Sequence, residues 1–262
     1  MNTVPRINPE TASRARAIDP AEWETRVDLA ACFRLIDLYG MSDMIYTHAT
    51  ARVPDEAAHF LINPHGMLFR EVTASSLLKV HLDGRVVLKP DLDYGLQEAG
   101  YVIHSALYRA RADVNSVIHT HTTAGMAISS LKCGLLPLTQ TSMRFVTRLA
   151  YHDFNGPERD PGEREKLAVD LGRQDVMILR NHGLLSVGPS IPEAFNRIYG
   201  LERSCQAQAA AMACNAELNL LTPEVIERAT HMYSAEVVRP YGILEWPALL
   251  RQLDDRDDSY RN

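Results

Sequence analysis

The sequence predicts an α/β fold in which a mixed, mostly antiparallel sheet carries helices on both faces, a three-layer α/β/α sandwich. Three observations predict it. Apolar runs of strand length, at residues 45–53, 59–62, 116–121 and 176–179, alternate with helix-like segments that carry start and stop signals. The runs Val80-His81-Leu82 and Val86-Val87-Leu88 flank Asp83-Gly84, a dipeptide that favours a tight antiparallel hairpin. No internal repeat or linker-like stretch divides the 262 residues, a length that suits one large domain.

The elements follow in chain order. Residues 1–18 contain arginines with no apolar segment after them, so they read as a flexible leader rather than a secretory signal. Asp19-Pro20-Ala21-Glu22 is a helix start, with Asp19 as N-cap and Pro20 in the first turn. That helix should run to Tyr39 and stop at Gly40, burying Val27, Ala31, Leu35 and Leu38. A short helix is expected over residues 73–78, before the hairpin, and helices over 96–111, 123–131 and 162–172. Ser190-Ile191-Pro192-Glu193 is a second capping box, opening an Ala-rich helix that reaches about Asn215. The main domain is therefore placed at 19–216, with a helical tail at 217–262 whose acidic end, from Asp254, is expected to be loose.

Composition excludes some functions. Hydrophobic residues make up 46% and charged residues 23%, with a formal net charge of −6. That balance offers no basic footprint for nucleic acid. No apolar run reaches the roughly 18 residues of a membrane helix. Cys32, Cys133, Cys205 and Cys214 form no CxxC pair and sit in apolar or helical text. They suit reduced residues of a cytoplasmic protein.

The chemistry concentrates in histidines. In Val117-Ile118-His119-Thr120-His121 the two histidines are i and i+2, so on a strand they share one face. Arg180-Asn181-His182-Gly183 puts a third on a turn after the run at 176–179. Three imidazoles make a plausible metal site that leaves the ion its charge and an open position.

Four ordered pieces resemble the class II aldolase/adducin family: Gly40-Met41-Ser42-Asp43-Met44-Ile45-Tyr46-Thr47-His48, Asn63-Pro64-His65-Gly66, the stretch from His104 to His121, and Arg180-Asn181-His182-Gly183. The resemblance runs from about Pro20 to Asn215. It implies the α/β/α sandwich, a homotetramer with sites near subunit boundaries, and a small-molecule substrate. It also implies a divalent metal on His119, His121 and His182, usually zinc, with manganese, iron or cobalt as alternatives.

The chain departs from the family's sugar-phosphate aldolases at three places. Gly100 matches their catalytic Glu, and a glycine moves no proton. Glu98 and Ala99 match the two serines that hold substrate phosphate, and a carboxylate repels phosphate. Tyr46-Thr47-His48 replaces a small Gly-Asn-containing loop. These departures direct the expectation to a metal-dependent carbon–carbon lyase on a small unphosphorylated hydroxy- or keto-acid, with decarboxylation ahead of retro-aldol cleavage. Alternatives are an aldolase on a sugar or sugar phosphate, a non-haem iron oxygenase and a non-catalytic adducin-like module. Candidate proton-handling groups are His48, His65, Glu98, Tyr241 and Tyr260. Asn63, Gly66 and Arg144 are candidates for holding substrate. His104 reads equally as a packed helix residue or as support for the site.

Overall fold

The computed structural model describes residues 18–156, 161–233, 237 and 239–262; residues 1–17, almost all of the expected leader, lie outside them. Helix α1 (Pro20–Leu38) begins as expected. The Asp19 carboxylate accepts a hydrogen bond from the Ala21 amide at 2.8 Å, filling one of the helix's unpaired amides. A meander follows: β1 (His48–Val53), β2 (Glu56–Ile62), β3 (Leu78–His81) and β4 (Val86–Leu88). Then come α2 (Glu98–Ala110), β5 (Ser116–Thr120), α3 (Thr123–Ser129), β6 (Leu149–His152) and α4 (Pro161–Leu171). The chain continues with β7 (Val176–Leu179), β8 (Gly183–Gly188), α5 (Ile191–Ala213), α6 (Pro223–Met232) and α7 (Trp246–Asp254).

The strands form one eight-stranded sheet in the order β4-β3-β2-β1-β5-β8-β7-β6. Only β6 and β7 are parallel neighbours. Strand alternation sends successive side chains to opposite faces and builds two cores. On one face Ala49, Ala51, Ile118, Ile178 and Leu184 pack with α1 and α5. On the other Val117, Met177, Leu179, Leu185 and Val187 pack with α2 and α4. The mixed sandwich with helices on both faces is therefore the fold.

Register places the functional text at one edge of this sheet. His48, which opens β1, faces His119 near the end of β5. Thr120 ends β5 opposite Leu184, which follows Gly183 at the start of β8. Gly183 in turn faces Leu179, the last residue of β7.

Several expectations need correction. The short helix at residues 73–78 is only a 3-10 turn, Ala74–Ser76. Strand β1 starts at His48 and not at Ile45, because Met44 and Thr47 adopt left-handed backbone angles (φ 45° and 70°). Strands β6 and β8 were not anticipated; β8 begins and ends on glycine, which masks its strand character.

The tail from Asp254 is not loose. Trp246, Leu253 and Tyr260 belong to the core cluster that contains α1. Trp246 donates its indole N–H to Asp28 at 2.9 Å. Tyr260 is 0% exposed, and its hydroxyl donates to Asp254 at 2.8 Å. Such a side chain supports α1 and cannot reach into another subunit's site without unpacking. Replacing Tyr260 with Ala should therefore destabilise the fold by about 3–5 kcal/mol in denaturant unfolding, while a Tyr260→Phe variant keeps its metal content and nearly all its stability.

Candidate metal centre

Three imidazoles converge where the sequence placed them. The Nε2 atoms of His119 and His121 lie 2.8 Å apart, as do those of His121 and His182. Their outer nitrogens decide what that closeness means. His119 Nδ1 lies 2.9 Å from the Leu184 carbonyl, which only accepts, so Nδ1 carries the proton and Nε2 a lone pair. His121 Nδ1 lies 3.3 Å from the Asp43 carboxylate, which sets the same tautomer. Two lone pairs at 2.8 Å repel unless a cation lies between them. The donor set thus fits a divalent ion held by three neutral nitrogens.

Local backbone makes this convergence possible. Asn181 takes φ 56°, a left-handed turn that asparagine tolerates, and its amide donates to the Ser129 carbonyl at 3.1 Å. Gly183 lets β8 approach β5 closely. A Cβ there would sit 2.4 Å from the Thr120 carbonyl oxygen and 3.2 Å from the His121 ring. Thr47, immediately before His48, is a buried β-branched residue at φ 70°, a conformation that costs on the order of 1–3 kcal/mol and marks a constrained loop.

His48 stands beside the metal ligands, its ring centroid 5.1 Å from that of His119. It shares a sheet face with Thr50, and that face meets the α2 stripe Gly100, His104 and Tyr108. A buried chain runs through them. His48 Nδ1 lies 2.8 Å from His104 Nε2, His104 Nδ1 lies 2.6 Å from Thr50 Oγ1, and Thr50 Oγ1 lies 2.8 Å from the Tyr108 hydroxyl. Among the described residues the Tyr108 hydroxyl has no other acceptor for its proton, so the donors run Tyr108 to Thr50 to His104 to His48. His48 then accepts at Nδ1 and bears its proton on Nε2. Burial and the neighbouring imidazoles hold His48, His104 and His119 well below the ordinary histidine pKa.

Gly100 has a physical reason. A Cβ at this position would lie 2.7 Å from the His48 ring. The imidazole of His48 thus occupies the space that any side chain at position 100 would need.

Other candidates fall elsewhere. Glu98 opens α2 and is exposed. His65 is also exposed, its amide donating to the Gly95 carbonyl at 2.9 Å. Gly66 takes φ 117° and abuts the Tyr94 ring, so it serves the turn. Asn63 is 0% exposed, and neither its amide nitrogen nor its oxygen has a partner among the described residues. The hydroxyls of Thr47 and Thr120 and the Gln97 amide oxygen are likewise buried without partners. Arg144 does not join the histidines; it donates to Asn196 at 2.6 Å and stacks over Tyr241 at 4.2 Å. Tyr241 therefore lies there as well. Asp43 and the Thr50–Tyr108 link escaped the sequence reading, although Tyr108 stands one helical turn beyond His104.

Residues 27–209 match the family described as Class II Aldolase and Adducin N-terminal domain. The chain belongs to this family. An aldolase II superfamily protein from Pseudomonas syringae superposes with a TM-score of 0.91 at 47% identity, covering 95% of this chain and 100% of that one. An L-fuculose 1-phosphate aldolase from Glaciozyma antarctica gives 0.80 at 27% identity, covering 98% of this chain and 97% of that one. Alpha-adducin of Rattus norvegicus is 45% identical over 208 residues, which are 79% of this chain and 28% of that protein.

Two outcomes follow from this geometry. The purified protein should carry about one divalent ion per chain, lost in a His119→Ala/His121→Ala variant, and Asp43→Asn should weaken metal affinity by about 10–100-fold in a chelator competition. The second concerns pH. The unfolded chain takes up protons near about pH 6.5, whereas the buried imidazoles resist protonation. Stability of the metal-free protein should therefore be intact above about pH 6.5 and fall below it, by up to about 1.4 kcal/mol per pH unit for each such histidine. Thermal melts between pH 7 and 5 check this, and His104→Gln should flatten the slope.

Proposed function

We propose that this family member is a metal-dependent carbon–carbon lyase that acts on a small unphosphorylated hydroxy- or keto-acid, with decarboxylation ahead of retro-aldol cleavage. The observation that carries the reading is His48. Beside the three-histidine set, in the space before Gly100, stands an imidazole whose Nε2–H is free of any bond among the described residues. His119, His121 and His182 would hold the ion, which when bound supplies a Lewis acid that draws electron density from a substrate oxygen. His48 would donate a hydrogen bond from Nε2 and deliver the proton that replaces the departing group. As that proton leaves, His104 can refill His48 at Nδ1, and Thr50 and Tyr108 can refill His104. Burial raises the Tyr108 pKa, and both its bond to Thr50 and the nearby Arg52, 4.6 Å from its ring centroid, offset part of that cost as the phenol end of the chain gives up its proton.

The buried, unpartnered Asn63 amide supports a polar substrate at the same edge, since leaving such a group unmet costs about 1–3 kcal/mol per atom. Glu98 and Ala99 supply neither hydroxyl nor positive charge for a phosphate. Assembly as a homotetramer with sites near subunit boundaries fits the exposed apolar side chains Met44 and Tyr46, which flank the Asp43 loop.

The likeness to L-fuculose 1-phosphate aldolase favours a second reading, retro-aldol cleavage of a sugar phosphate. The two separate cleanly. Metal-loaded protein should release CO₂ from a panel of hydroxy- and keto-acids, stop on chelation and recover with metal. Robust cleavage of fuculose or ribulose phosphate without CO₂ release would instead establish the aldolase. Within the lyase reading, His48→Gln should lower kcat by about 10²–10⁴-fold with metal content unchanged. Gly100→Ala should do so more mildly by displacing the His48 ring.

A further inference from the structure

A second cleft lies at the other end of the sheet. Its floor is set by Arg148 and Asp175, which immediately precede β6 and β7, whereas the metal centre follows the end of β7. Arg144, Arg148, Arg197 and Arg239 line it, with Tyr233 and Tyr241, around a cavity of about 130 Å³.

Among the described residues the charges there do not balance. Asp175 is shared, 3.2 Å from Arg148 and 3.4 Å from Arg197. Arg239 pairs with Glu245 at 2.6 Å. Glu193 also lines the cleft but accepts the Ser190 hydroxyl at 2.8 Å, closing the start of α5. Arg144 has no carboxylate partner among the described residues. Its guanidinium carbon lies 4.2 Å from the Tyr241 ring centroid, with one nitrogen on Asn196. Among the described residues four guanidiniums thus face three carboxylates, in a chain whose formal charge is −6. Burial disfavours the Arg144 cation; Tyr241 and Glu245 offset part of that, and Arg148 adds repulsion. An anion in the cleft would relieve both.

We propose that this cleft is a binding site for a small oxyanion of charge −2, a phosphate group or a dicarboxylate, distinct from the metal centre. Guanidiniums present planar forks that match either oxyanion, and the contacts of Arg144 with Tyr241 and Asn196 lower the ordering cost of binding. The cavity has room for an ion of this size and little more.

Calorimetry on the full-length, metal-loaded protein with inorganic phosphate and with succinate tests the assignment. At least one probe should saturate one site per chain, more tightly at low salt; the tighter of the two separates a phosphate from a dicarboxylate ligand. Arg144→Met should weaken that binding by about tenfold or more and leave the metal content alone. Arg144→Lys keeps the charge without the fork and should weaken it severalfold, so the test stands even if the Met variant folds poorly. Failure of both probes to bind at about 10 mM, or binding that both Arg144 variants leave unchanged, would overturn the proposal. So would binding that vanishes on chelation or in His119→Ala, since the anion would then belong to the metal centre.

Discussion

The antiparallel register of β1, β5 and β8 is the constraint on which the site depends. It sets His48 against His119 and Thr120 against Leu184, so that ligands distant in sequence meet at one sheet edge. The Leu184 carbonyl that receives the His119 proton is itself part of this ladder. Sheet pairing therefore decides a tautomer as well as a position. A slip of one residue would turn His119 to the other face and separate it from both His48 and His182.

Much of this was legible in the sequence, for identifiable reasons. The i and i+2 spacing of His119 and His121 carries its meaning without tertiary information, because strand geometry alone puts both on one face. The Asp19 cap and the Ser190 box are equally local, and both helices start where those residues stand. What escaped was non-local or locally weak. Strand β8 is bounded by glycines whose role is close approach to β5, a fact that only pairing reveals. Asp43 stands in a loop, and nothing in its neighbours announces that it reaches His121. Tyr260 looked solvated because acidic residues surround it in sequence, whereas its ring is buried under α1. Arg144 looked like a substrate clamp because arginines often are; its partners, Asn196 and Tyr241, come from other segments.

Gly100 illustrates how an absence in sequence becomes a feature in structure. On the page it is a lost carboxylate. In the fold it is half of a pair, since the His48 ring rests where any side chain at position 100 would go. The proposed proton donor thus stands on the sheet and not on the helix. There it is wired to His104, Thr50 and Tyr108 rather than exposed to solvent. Both halves of the exchange lie within one sheet–helix contact, so neither is interpretable alone.

The close approach at Gly183 has a consequence of its own. Backbone touches backbone there, and the ligands on either side, His121 and His182, ride on segments with little room to part. Imidazole nitrogen is a good donor to most first-row divalent ions and discriminates poorly among them. A stiff frame discriminates in another way, because it resists expanding around a larger ion or rearranging toward a different coordination geometry. A metal held at this edge would therefore be selected by the ionic radius that the frame tolerates, and a single added methyl at position 183, pressing on the Thr120 backbone and the His121 ring, would change that tolerance without replacing any ligand.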